Sequence, residues 1–204
     1  MWHTILRICG HRPNHIHHIG NGVLSDMGGI YCLGKSPGTV LRGNVMHSIA
    51  SYAYGGWGLY TDEGSTSILM EQNVVYNTKS GGFHQHYGRE NILRHNILAF
   101  AREGQVIRSR QESHLSFLFE KNIVIFENGL PLGKNYSNGN YSFNRNLYWD
   151  VTEEPFLFAG YDLAEWQEEG NDRDSLIADP LFRNAREYDF RLSKKSPAHQ
   201  LGIE

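Results

Sequence analysis

One short unit recurs along the chain: an apolar residue, two polar positions, an asparagine, then more apolar residues. It reads "VLRGNVMHSI" around Asn44, "LMEQNVVYNT" around Asn73, "ILRHNILAFA" around Asn96, "LFEKNIVIFENG" around Asn122 and "SFNRNLYWDV" around Asn146. Asn14 in "NHIHHIGNG" opens a similar run without its upstream half. Successive asparagines lie 30, 29, 23, 26 and 24 residues apart, which is repeat spacing with loop insertions. Each unit also carries a glycine-led strand: "GGIYCLG" from Gly28, "GWGLYTDEG" from Gly56, "GGFHQHYG" from Gly81 and "GQVIRSR" from Gly104.

A repeat of about 25 residues built from short, period-2 strands admits few folds. It lacks the helical period of leucine-rich repeats and is too irregular for propeller blades. What remains is an all-β, right-handed parallel β-helix, a solenoid of about six rungs in which equivalent residues stack about 4.8 Å apart. The repeat asparagine then has a structural role. Its amide tolerates a left-handed turn, bonds its own backbone and ladders with the asparagines above and below. The rungs are assigned to residues 14–150. Residues 151–204 form a C-terminal loop, a short helix in "DLAEWQEEG" and a capping strand, as terminal solenoid units are atypical. Residues 1–13 lack the pattern expected before Asn14. They read as a cap or truncated rung, and the chain as the C-terminal part of a longer solenoid, with missing upstream rungs or self-association at the open end.

Composition narrows the partners. A formal net charge of -3 over 204 residues shows no basic excess of the kind nucleic acid demands. No apolar run has the length of a membrane span, and no signal peptide is read at the N-terminus. Cys9 and Cys32 make no disulfide framework. The surplus of 22 glycines, 11 tyrosines and 11 histidines fits a turn-rich β protein with a site to find.

Setting Ile30, Leu59, Phe83 and Val106 inward in register turns Tyr31 and Leu33, Tyr60 and Asp62, and His84 and His86 outward on successive rungs. Asp62 and His86 are expected within about 5 Å of each other, as are Tyr60 and His84. A carboxylate so placed raises a neighbouring imidazole's pKa. Arg108 and Arg110, one rung away, add charge for an anionic group. Tyr31, Trp57 and Tyr60 offer exposed flat faces for sugar rings. The cluster Tyr60, Asp62, His84 and His86 reads as a site, against the plainer reading of cross-strand ladders. Glu63 is expected to face away from Asp62 unless Gly64 bends the strand. His15, His17 and His18 of "HIHHIG" invite a metal, but no second ligand set has matching spacing; no metal and no cofactor are expected.

The segments "SDMGGIY", "GGWGLYTDEGS" and "GGFHQHYGREN" resemble those of bacterial carbohydrate-active β-helix proteins, and most resemble glycoside hydrolase family 141. The likeness covers about residues 14 to 150, with a tail common in that group. It implies hydrolysis of a plant or host polysaccharide or oligosaccharide by a pair of acids, carried over onto Asp26 and Asp62. It also implies a secreted or periplasmic location. In a straight strand Asp26 would stand seven residues, about 23 Å, from the level of Asp62, whereas glycosidases hold their carboxyls about 5 to 9.5 Å apart. A tight bend through "SDMGG" is therefore required; failing it, Glu63 or Glu103 is the replacement. Two other classes stay open. One is a polysaccharide lyase, resting on Arg108 and Arg110 but lacking an acidic cluster for calcium. The other is a non-catalytic carbohydrate-binding solenoid.

Overall fold

The chain turns a corner at every repeat asparagine, and the corners stack. A computed structural model describes residues 13–203 as a right-handed parallel β-helix with a C-terminal cap. The expected N-terminal cap or truncated rung falls almost wholly outside the described residues. The first coil comprises β1 (His15–Ile19), β2 (Gly28–Cys32) and β3 (Val40–Arg42), and the second β4 (Val45–Ile49), β5 (Trp57–Thr61) and β6 (Leu69–Glu71). The third holds β7 (Val74–Thr78), β8 (Phe83–Gln85) and β9 (Asn91–Arg94), and the fourth β10 (Ile97–Ala99), β11 (Val106–Arg108) and β12 (Phe117–Glu120). The fifth has β13 (Ile123–Phe126) and β14 (Ser142–Asn144), with Leu132 bridged to Val106 in place of a middle strand. The sixth begins with β15 (Leu147–Asp150), on which β16 (Leu176–Ile177) stacks. Three parallel sheets result: β1-β4-β7-β10-β13-β15-β16, β2-β5-β8-β11 and β3-β6-β9-β12-β14.

Each sheet sends one apolar stack into the lumen. Met46, Val75, Leu98, Val124 and Tyr148 are in register on the first sheet. Ile30, Leu59, Phe83 and Val106 are in register on the second. Leu41, Met70, Leu93, Phe119 and Phe143 are in register on the third. These form one continuous core, which drives the coiling because no single coil can bury its apolar face alone.

At the corner between third and first sheets the asparagine amides form a ladder. Nδ2 of Asn14, Asn44, Asn73, Asn96 and Asn122 each donates to the Oδ1 one rung on, over 2.9, 2.9, 2.9, 3.0 and 3.3 Å. The same oxygens accept the backbone N–H of the preceding asparagine. The left-handed residue is not the asparagine but its predecessor: Gly43, Gln72, His95, Lys121 and Arg145 have φ of 70°, 55°, 53°, 54° and 54°. That residue makes the turn and leaves the asparagine to satisfy the buried polar groups the turn exposes. Asp172 ends the ladder, accepting from Asn146 Nδ2 at 2.9 Å, Tyr148 at 2.9 Å, Trp166 Nε1 at 3.0 Å and the Ser175 hydroxyl.

Helix α1 (Leu163–Glu168) starts at Asp162 with a reciprocal Asp162–Glu165 capping box and buries Trp166. Strands β17 (Phe182–Asn184) and β18 (Asp189–Leu192) form an antiparallel pair. With the residues that follow, they lie on the outer face of the first sheet, where Ala198, Leu201 and Ile203 cover Ala99, Ile123, Ile125 and Leu147.

At the corner before the second sheet, Gly29, Gly58 and Gly82 take equivalent places against core side chains, and buried Gln105 stands there in the fourth coil. A Cβ on Gly58 would lie 2.1 Å from Val75 Cγ1 and 2.5 Å from the Gly82 carbonyl oxygen. Gly58→Ala therefore has to displace backbone or core. It is expected to destabilise the fold by at least about 1–3 kcal/mol, read as a lowered midpoint in urea; an unchanged midpoint contradicts the packing described.

On the third sheet Arg42, Glu71 and Arg94 stand in register. Burial alone would raise the Glu71 pKa, but hydrogen bonds from Arg94 Nε at 2.8 Å and Arg42 Nε at 2.6 Å outweigh it and hold the carboxyl below its usual range. A depressed folded-state pKa stabilises fully above the unfolded value of about 4.3 and is lost as pH falls through the folded value. Parent protein should therefore lose more stability than Glu71→Gln between neutral pH and the acid limb, as read by urea titrations at several pH values.

Candidate functional site

With Leu59, Phe83 and Val106 inward, the outer face of the second sheet is fixed. Tyr31, Tyr60, His84 and Ile107 form one outward row. Two residues on, backbone bonds Asp62 N–H to Cys32 O, His86 N–H to Thr61 O and Ser109 N–H to Gln85 O set Leu33, Asp62, His86 and Ser109 in the next row. On the other side Trp57 stands in register between Gly28 and Gly81, where a Cβ would lie 2.8 Å from Tyr60 Cβ and from Ile107 Cδ1 respectively.

The rings pack as one group. Trp57 stacks on His84 with centroids 4.0 Å apart, His84 on Tyr60 at 4.8 Å, and Tyr60 meets Tyr31 edge-on at 4.8 Å. The two outer phenols reach opposite ends of the face. Tyr31 donates to Asp62 Oδ2 at 2.5 Å, and Tyr60 donates to Asp26 Oδ1 at 3.0 Å. Asp26 sits in the turn before β2 with φ of 51°, its N–H held by the Tyr54 carbonyl at 3.0 Å. The Tyr54 phenol also reaches Asp26, which raises its pKa. Burial raises the Tyr60 pKa further, followed by the charge of Asp62, the bond to Asp26 and the charge of Asp26. Tyr31 is raised by burial, the bond and charge of Asp62, then Asp26 and Glu63. Both phenols thus stay protonated and act as donors, and both carboxylates lie within electrostatic reach of the same two rings.

Several sequence-based placements need correction. Tyr31 is 43% exposed, but Trp57 and Tyr60 are only 6% and 4% exposed, because each ring lies against its neighbours in the stack. The hydrogen-bond partner of Asp62 is Tyr31 rather than His86. His84 Nε2 and His86 Nδ1 instead converge on Ser109 Oγ, at 2.9 and 2.7 Å. Burial and then the nearby His86 push the His84 pKa down to about 3, so that ring is neutral. Arg108 is not on this face. It shares the parity of Val106 and points into the lumen, bonding the Asn135 carbonyl at 2.9 Å and Asn138 Oδ1 at 2.8 Å beneath the Tyr141 ring. Arg110 is exposed, 5.2 Å from the Tyr87 ring centroid.

The strand β5 ends at Thr61, so alternation does not govern Glu63. It is exposed in the following turn, close enough to act on Tyr31. Glu103 is exposed in the turn before β11. Ser109 was missed by sequence reasoning, although counting two residues outward from Ile107 along "GQVIRSR" locates it. The histidines of "HIHHIG" lie on the first sheet instead, where His15 and His17 pack with His47. Among the described residues no three His, Cys, Asp or Glu side chains are grouped to hold a metal. Comparison with protein-family models, curated proteins and solved structures finds no match for the chain.

Proposed function

We propose that the outer face of the second sheet is the active site of a glycoside hydrolase acting on a plant or host polysaccharide or oligosaccharide. The observation that carries this reading is that Asp26 and Asp62 each accept a hydrogen bond from one of two tyrosines whose rings pack edge to face. Two carboxylates far apart along the strand direction are brought to Tyr60 and Tyr31 by the left-handed turn at Asp26 and the reach of the phenols. One carboxyl protonates the glycosidic oxygen. The other attacks the anomeric carbon, or activates the water that does. The phenols, always protonated, hold the two carboxylates in place without competing for the proton. Tyr31, the exposed ring of the group, is the platform for a sugar ring, and His86 and Arg110 bind hydroxyl or carboxylate groups at the other end. The inward position of Arg108 removes one of the two basic groups a lyase at this face would use.

Incubating the full chain with a panel of plant cell-wall and host glycans tests the reading. Release of new reducing ends without ultraviolet-absorbing unsaturated sugars is the expected result. Unsaturated product from uronate polymers would replace hydrolysis by elimination. Glycan retention with no product at all would make the face a binding surface.

A further inference from the structure

The second outward row of this face carries an acid, an imidazole and a hydroxyl on three consecutive rungs: Asp62, His86 and Ser109. We propose that Ser109 is a nucleophile, activated by His86, that removes O-acyl groups from the same glycans. The glycan reading of this face supplies only the choice of acyl substrate; the serine chemistry rests on its own geometry.

The hydrogen-bond directions are fixed by elimination. Ser109 Oγ lies 2.7 Å from His86 Nδ1 and 2.9 Å from His84 Nε2. His84 is buried beneath Trp57, and its Nδ1 has no hydrogen-bond partner. A bare lone pair there costs less than a bare N–H, so the single proton of this neutral ring belongs on Nε2. Nε2–H then donates to Ser109 Oγ, and the serine proton is directed to His86 Nδ1. Its alternative acceptor, the Gln85 carbonyl, is more distant at 3.4 Å. His84 cannot take the proton, having been driven to the neutral state by burial. His86, only half-buried, can.

The step balances with an ester and water alone. Ser109 Oγ attacks the acyl carbonyl carbon as its proton passes to His86 Nδ1. The ester C–O bond then breaks, and the departing sugar oxygen takes that proton. Water attacks the acyl-serine in turn, giving its proton to His86, which passes it to the departing Ser109 Oγ as the carboxylic acid is released. The hydrogen bond from His84 Nε2 steadies the serine oxygen as charge builds on it. Arg110 lies over the Tyr87 ring, which packs against His86 with centroids 4.4 Å apart, and supplies positive charge for the tetrahedral oxyanion.

The test treats the full chain with a fluorophosphonate probe, locates the adduct by peptide mass spectrometry, and follows p-nitrophenyl acetate hydrolysis in parallel. The expected adduct is on Ser109. Both signals should vanish in Ser109→Ala and fall roughly a hundredfold or more in His86→Gln, which keeps a hydrogen-bond acceptor but no base. An unmodified Ser109 in folded protein overturns the proposal. So does an adduct forming equally fast in His86→Gln. Either failure leaves glycosidic hydrolysis untouched, because that reaction is read by reducing ends and by the Asp26 and Asp62 variants.

Discussion

Asp62→Asn is expected to reduce glycan hydrolysis by roughly three orders of magnitude while leaving the fold intact. Asparagine matches the aspartate in shape and still accepts the Tyr31 hydrogen bond, and the residue's backbone bonds, its N–H to the Cys32 carbonyl and its carbonyl from the Ser65 N–H, are unaffected. What is lost is the carboxyl's capacity to give a proton, take one or form a bond to carbon. Asp26→Asn should show a loss of similar size, since a two-carboxyl mechanism fails when either group is removed. Tyr60→Phe removes only the bond that orients Asp26, so its effect should be smaller and should leave some activity at every pH. Initial rates of reducing-sugar release, with circular dichroism to confirm folding, check all three. Full activity in folded Asp62→Asn would remove Asp62 from the mechanism, and full activity in folded Asp26→Asn would pass the partner role to Glu63, exposed after β5, or Glu103, exposed before β11.

Asn96→Ala is expected to have the largest effect on stability. The fully buried amide of Asn96 accepts from the backbone N–H and Nδ2 of Asn73, at 3.0 and 2.9 Å. It donates to the Met70 carbonyl at 2.9 Å and to Asn122 Oδ1 at 3.0 Å. Truncation strands buried polar groups on both adjoining coils, each costing about 1–3 kcal/mol, for a total of about 4 kcal/mol. That is a large share of the roughly 5–15 kcal/mol by which domains are stable. Asn14→Ala, at the exposed end of the ladder, takes away only one donor side chain and should cost less than about 1 kcal/mol. Urea midpoints of the two variants measure the difference. Equal effects would mean that the ladder is not the cooperative element it is taken to be.

The fold was legible because its determinants are periodic. The asparagines, glycines and inward Ile30–Leu59–Phe83–Val106 stack recur at rung spacing, and a solenoid's contacts lie between equivalent residues. The outward row of Tyr31, Tyr60 and His84 followed from the same alternation. What escaped depended on parity and on turns. Arg108 was assigned outward although it shares the parity of inward Val106, and the Ser109 beside it was passed over. The expected Asp62–His86 pairing reflected rung spacing alone. Hydrogen bonding depends on which way each side chain leans, and here Asp62 leans to Tyr31 while His86 leans to Ser109. The approach of Asp26 required knowing that an aspartate, not a glycine, takes the left-handed conformation in "SDMGG".

The most direct measurement is a crystal structure of Asp62→Asn soaked with an oligosaccharide that the parent cleaves. The account predicts a sugar ring on Tyr31, with the scissile glycosidic oxygen between residue 62 and the Asp26 carboxylate. An oligosaccharide bound on another sheet, or one whose glycosidic oxygen lies out of reach of both residues, would contradict it.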